Sequence, residues 1–126
     1  MLAQNFMTAA DLGITEAELD ALIKVLGMLE RGELIDARTP KQRGKNLFHM
    51  SEWGRGCGTA ACIGGYVALL TKQDQHDYVN YKHSAPLNNL YWGTTFRGAK
   101  VSQAAIALRS YLTTGEANWD EALAAG

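Results

Sequence analysis

The chain of 126 residues is 47% hydrophobic and 20% charged with a formal net charge of −1, the balance of one globular domain. A domain of this size buries roughly two-thirds of its unfolded surface and folds without a metal or disulfide. The near-neutral total excludes a protein that coats nucleic acid through its overall field, and no apolar run approaches the roughly eighteen residues of a membrane-spanning helix.

In chain order, a turn or short helix around Thr8 to Leu12 leads into the clearest helix, which starts after Thr15. Thr15 and Glu18 stand at capping-box spacing, and Ile14 and Leu19 are placed as a hydrophobic staple. Leu19, Leu22, Ile23, Leu26 and Leu29 recur at three- and four-residue steps, and Gly32 marks the stop. From Glu33 to Asn46 charged and turn-forming residues predominate. Thr39-Pro40 imposes extended backbone there, and Lys41, Arg43 and Lys45 make a basic, exposed loop. The stretch from Arg31 to Arg55 holds six basic and three acidic residues, whereas the first thirty residues lean acidic. Leu47 to Trp53 fits either a single helical turn or a short strand.

Gly54, Gly56 and Gly58 permit unusual backbone angles, and Thr59 is placed to cap a second helix running to about Leu70. Ile63, Tyr66, Val67 and Leu70 form its apolar stripe. Gly64-Gly65 within it costs about 0.5–1 kcal/mol per glycine relative to alanine, which implies a closely approaching neighbour. Lys72 to Ser84 reads as a polar connection with a short strand at Tyr78 to Tyr81. Pro86 opens a short helix through Leu90 and Trp92 that Gly93 ends. Ser102 is the expected cap of the last well-marked helix, with Ala105, Leu108 and Leu112 on one face and Gly115 as its stop. Asn118 and Glu121 repeat the capping spacing before a terminal helix, Trp119 to Ala124. The fold expected for residues 1–126 is therefore mainly α, a single compact domain of four to six helices with at most a short β-hairpin or strand pair.

The segment from Phe48 to Leu70 carries the chemistry-bearing residues. Cys57 and Cys62 flank the start of the second helix, where exposed N–H groups and the macrodipole favour a thiolate. His49, His76 and His83 are candidate bases, and Cys57 with His49 is the minimal catalytic pair. Against catalysis, no cysteine-protease signature surrounds Cys57, and cysteine is often simply buried. Two cysteines and three histidines would suffice for zinc, but Cys-x4-Cys is loose and no histidines are paired at ligand spacing, so no metal is expected. Arg55-Gly-Cys-Gly58-Thr-Ala60 matches the R-x-x-G-x-A pattern with which acetyltransferases hold the pyrophosphate of coenzyme A. It lacks the apolar strand that precedes that pattern; a tight turn explains the residues, and no cofactor follows. Two cysteines are also too few for a secreted disulfide framework. With a start that has no basic region followed by an apolar run, they point to a soluble, cytoplasmic protein with free thiols.

The run Phe48-His-Met50-Ser-Glu-Trp53 followed by Cys57-Gly-Thr59-Ala-Ala-Cys62-Ile-Gly-Gly65 resembles a group of small uncharacterised proteins of bacteria and their phages. Those proteins carry F-x-M-x-x-W, a variable spacer, and C-G-T-x-x-C-I-A-G. Tyr111-Leu-Thr-Thr-Gly115-Glu-Ala-Asn-Trp119 is similar to the helix-then-TG ending of the same group. This chain has Gly64 where alanine is usual and Tyr66 where His or Trp is commoner. The resemblance implies a phage or mobile-element setting, and with it a small inhibitor or adaptor acting on host machinery, including bacterial immune systems; it implies no activity and no functional residues.

The leading expectation is a non-enzymatic interaction protein. Its binding residues are Lys41, Arg43, Lys45 and Arg55 with the aromatics Trp53, Tyr78 and Tyr81, and its partner is a protein, with nucleic acid met through a nucleoprotein complex. The alternative is a cysteine-dependent enzyme using Cys57 and His49. Any tryptophan among Trp53, Trp92 and Trp119 found on the surface would mark a partner site.

Overall fold

The computed structural model describes residues 6–36, 47–48, 63–71, 84–87, 90 and 99–124. The capping box expected at Thr15 and Glu18 starts the helix around which the rest is arranged. The Thr15 hydroxyl accepts from the Glu18 N–H at 3.1 Å, and the Glu18 carboxylate accepts from the Thr15 N–H at 2.8 Å. A short first helix, α1 (Ala9–Leu12), precedes this helix, α2 (Glu16–Glu30). The Thr8 hydroxyl caps α1 by accepting from the Asp11 N–H, and Gly13 ends it at φ +71°. A side chain at Gly13 would meet the Pro86 ring at 3.3 Å as well as strain the backbone, so glycine fits on both counts. Leu22, Val25, Leu26 and Leu29 form the buried face of α2, flanked by the partly buried Leu19 and Ile23. Arg31 caps its end, and Gly32 turns the chain away at φ +74°.

The described architecture is mainly α, with one small parallel strand pair. Strand β1 (Ile35–Asp36) lies beside β2 (Leu47–Phe48), with Ile35 opposite Leu47 and Asp36 opposite Phe48. The sequence places Ile35 and Asp36 in a loop; pairing with β2 is a tertiary contact that local pattern does not encode. Of the two structures that fit Leu47 to Trp53, the strand is the one observed at Leu47–Phe48. Helix α3 (Ile63–Leu70) follows. Its stripe residues Ile63, Tyr66 and Val67 are buried, but Leu70 is 39% exposed because the stripe runs past the core at the helix's last residue. The start expected at Thr59 lies outside the described residues.

Pro86 sits in a 3-10 turn, Ala85–Leu87, where the sequence suggests a helix opening at Pro86; Leu87 and Leu90 are fully buried. Helix α4 (Val101–Thr114) then lies between α2 and α5 (Trp119–Ala124). Ala104, Ala105, Ala107, Leu108, Tyr111 and Leu112 are its buried residues, and the alanines let neighbouring helices approach closely.

Two of the expected caps are corrected. α4 begins two residues before the position a Ser102 cap requires, with Lys100 as its cap residue. The Lys100 N–H is taken by the Gln103 side chain at 2.8 Å and the Val101 N–H by the Asp36 carboxylate at 2.7 Å, so distant and downstream groups replace the serine. Asn118, expected to cap α5, instead sits in the left-handed region at φ +53°, where its side chain donates to the Ser110 hydroxyl at 2.9 Å. The Glu121 N–H bonds the Asn118 backbone carbonyl rather than its side chain. Gly115 ends α4 as expected, at φ +87°.

Trp119 is 7% exposed, and its indole N–H donates to the Leu90 carbonyl at 3.3 Å. It is a core residue that fastens α5 beneath Leu90, and marks no partner site. On the surface, Arg109 forms a two-pronged pair with Glu30 at 2.6 Å per bond and lies over the Phe6 ring at 5.6 Å, joining the end of α2 to the body of α4. Exposure on both sides limits such a pair to about 0.2–1 kcal/mol.

Candidate functional site

Each residue singled out from the sequence for binding or catalysis falls in one of three segments. Lys41, Arg43 and Lys45 belong to 37–46; His49, Trp53, Arg55 and Cys57 to 49–62; Tyr78 and Tyr81 to 72–83. All of them lie outside the described residues, as do Cys62, His76 and His83. What the structure places is the frame at the ends of these segments, where Asp36, Leu47 and Ser84 each take part in a long-range hydrogen bond.

Segments 37–46 and 49–62 leave the frame from Asp36 and Phe48, which are partners across the parallel strand pair. Parallel strands run in the same direction, so both segments begin from neighbouring points. The Asp36 carboxylate is held at the N-terminus of α4 by the Val101 N–H, where the positive end of the helix macrodipole also favours it. Phe48 is 1% exposed and fills the core.

A buried bond ties the base of 49–62. The Tyr66 hydroxyl on α3 donates to the Leu47 carbonyl at 2.6 Å, joining the strand before the segment to the helix after it. Burial pushes the Tyr66 phenol up to about 12, so it remains a neutral donor at any physiological pH.

The third segment is fastened by a carboxylate. Glu18 is 7% exposed, and besides its capping bond it accepts from the Ser84 hydroxyl at 2.6 Å and from the Ser84 N–H at 2.8 Å. Burial alone would raise its pKa, but the hydrogen bonds from Ser84 and Thr15 outweigh it and hold the carboxyl below its ordinary value. At the other end of the segment, the Thr71 hydroxyl donates to the Val67 carbonyl at 2.8 Å.

Near this carboxylate lies the buried phenol of Tyr111 on α4, raised by burial and then by the negative charge of Glu18. It is 2% exposed, and its hydroxyl has no hydrogen-bond partner among the described residues. A buried hydroxyl of this kind costs free energy, so Tyr111→Phe is expected to leave the fold intact and raise the unfolding free energy by about 1 kcal/mol. Thermal denaturation monitored by circular dichroism checks this; a fall in midpoint would show that the hydroxyl is bonded in solution. Tyr111 and the long-range half of the Glu18 cluster were not identifiable as site features in the sequence. The capping-box spacing marks Glu18 but says nothing of a partner at position 84.

Charge is uneven along the sequence: the first thirty residues hold five acidic side chains and one basic one, Lys24, whereas residues 31–55 hold six basic and three acidic ones. Among the described residues no three His, Cys, Asp or Glu side chains converge as a metal site would need, and no helix is long and apolar enough to cross a membrane.

No protein-family model matches the chain, and neither a curated protein nor a solved structure matches it.

Proposed function

We propose that this chain is a small interaction protein that binds and modulates a partner protein or nucleoprotein complex through its basic and aromatic segments. Its setting is that of an inhibitor or adaptor from a phage or mobile element, acting on host machinery such as a bacterial immune complex. The observation that carries this reading is the uneven charge along the sequence, with six basic and three acidic residues between Arg31 and Arg55 after an acidic first thirty residues. Clustered cationic side chains speed association with an anionic partner and set specificity more than raw affinity. The frame supports the reading by launching 37–46 and 49–62 from adjacent points, Asp36 and Phe48.

The test compares the natural chain with the triple variant Lys41→Glu, Arg43→Glu, Lys45→Glu. Both are immobilised and exposed to extract of the native host, and recovered partners are identified by mass spectrometry. The variant is expected to lose its partner by about tenfold or more, with an unchanged circular dichroism spectrum. If contact is made to nucleic-acid phosphates, affinity also falls steeply between about 50 and 200 mM salt. Equal recovery of the same partner by variant and natural chain would remove the basic segment from the interface.

A further inference from the structure

We infer that Glu18 makes the attachment of the Ser84 turn to α2 an acid-releasable joint, one that opens while the helical core stays assembled. The inference is independent of the proposed partner binding.

The geometry carries it. Oε1 faces two donors, the Thr15 N–H at 2.8 Å and the Ser84 hydroxyl at 2.6 Å, while Oε2 faces the Ser84 N–H at 2.8 Å. An ionised carboxylate satisfies all three, because it only accepts. A neutral carboxyl satisfies them less well. A proton on Oε2 competes with the Ser84 N–H for that oxygen, and a proton on Oε1 turns the Ser84 hydroxyl round to accept and leaves the Thr15 N–H a poorer, uncharged acceptor. Protonation therefore replaces the charge-assisted bonds to Ser84 and Thr15 by weaker ones, which loosens the tether and the cap of α2.

The groups around Glu18 do not substitute for its charge. Among the described residues, Tyr111, from α4, is the titratable group coupled to it, and its phenol is held neutral. The turn brings Ser84, Ala85, Pro86 and Leu87, none titratable in this range. On α1 and α2, Asp11, Glu16 and Asp20 are exposed. The carboxyl's lowered pKa sets the window: the joint is closed at and above the ordinary value of 4.5 and opens as pH falls below it.

The core does not share this dependence. Leu22, Val25, Leu26, Leu108 and Leu112 are buried by apolar contact, which no proton removes.

The experiment is an amide nuclear magnetic resonance titration of the full chain between about pH 3 and 7. The Thr15 and Ser84 amide protons are expected to shift together with one midpoint below 4.5, while the Leu108 amide stays in place. In Glu18→Gln both titrations vanish. Because that variant also weakens the cap, Ser84→Ala provides a second arm: it removes one hydrogen bond to the charged form and moves the midpoint upward by about half a unit or more. A Ser84 amide that does not titrate, or that titrates equally in Glu18→Gln, overturns the inference. So does simultaneous loss of the Leu108 signal, since the joint would then open only with the core.

Discussion

Replacing Phe48 with alanine is expected to lower the unfolding free energy by about 4 kcal/mol, the usual cost of deleting a fully buried aromatic ring. The side chain is 1% exposed and belongs to the main core. Its backbone is also the β2 partner of Asp36, so the cavity opens beneath the strand pair from which two segments depart. Domains of this size are stable by about 5–15 kcal/mol, so the loss is a large fraction of the whole. Urea denaturation reads it as a lower midpoint at unchanged slope. Ile35, 58% exposed on the neighbouring strand, is the control: Ile35→Ala should stay within about 0.5 kcal/mol of the natural chain. A small loss at Phe48 would mean that the ring is not in the core in solution.

Glu18→Ala is expected to cost about 3 kcal/mol at neutral pH. About 1 kcal/mol of this is the lost cap of α2. The remainder comes from leaving the Ser84 and Thr15 donors without the charged acceptor that satisfies them in a largely buried setting. The effect depends on pH in a defined direction. A carboxyl whose pKa is depressed by folding contributes its full stability above the unfolded-state value, here 4.5, and loses it as pH falls through the lower folded-state value. Denaturation midpoints of natural chain and variant should therefore differ most above about pH 5 and converge on acidification. A difference that persists at pH 3, or grows, would assign the cost to lost side-chain packing instead of lost charge.

These two residues also illustrate what the sequence discloses. Glu18 is legible as the third residue of a capped helix because Thr15 stands three positions before it, and a capping box is wholly local. Its second role is not, because Ser84 is 66 residues away and the bond exists only once the turn is folded against α2. The same division runs through the fold. The buried faces of α2 and α4 follow from helical periodicity, and Gly32 and Gly115 end them in the left-handed conformation that glycine favours. Ile35–Asp36 was unreadable as a strand, since two residues carry no period and the partner, Leu47–Phe48, lies beyond the basic stretch Lys41 to Lys45 in sequence. Ser102 misled because the donors at the start of α4 are satisfied by Gln103 and by Asp36, the latter 65 residues upstream. The residues with nucleophilic, basic or aromatic chemistry cluster in segments whose sequence shows composition without periodicity. Composition argues for a partner's charge, not for a geometry.

The pairing of α2 with α4 also has a cost in time. The apolar face formed by Leu22, Val25, Leu26 and Leu29 is complete once Glu30 has been added, yet its principal cover, which includes Leu108 and Leu112, ends at Thr114. Ribosomes add about 5–20 residues per second, so the 84 positions separating those helix ends correspond to roughly 4–17 s of synthesis. Throughout that interval the nascent helix lacks its principal cover, with α3 as a partial mate only once Leu70 has been added, which makes the growing chain a client for holding chaperones. A slow-codon stretch between the two helices would lengthen the exposure and lower the yield of native protein without changing a single amino acid.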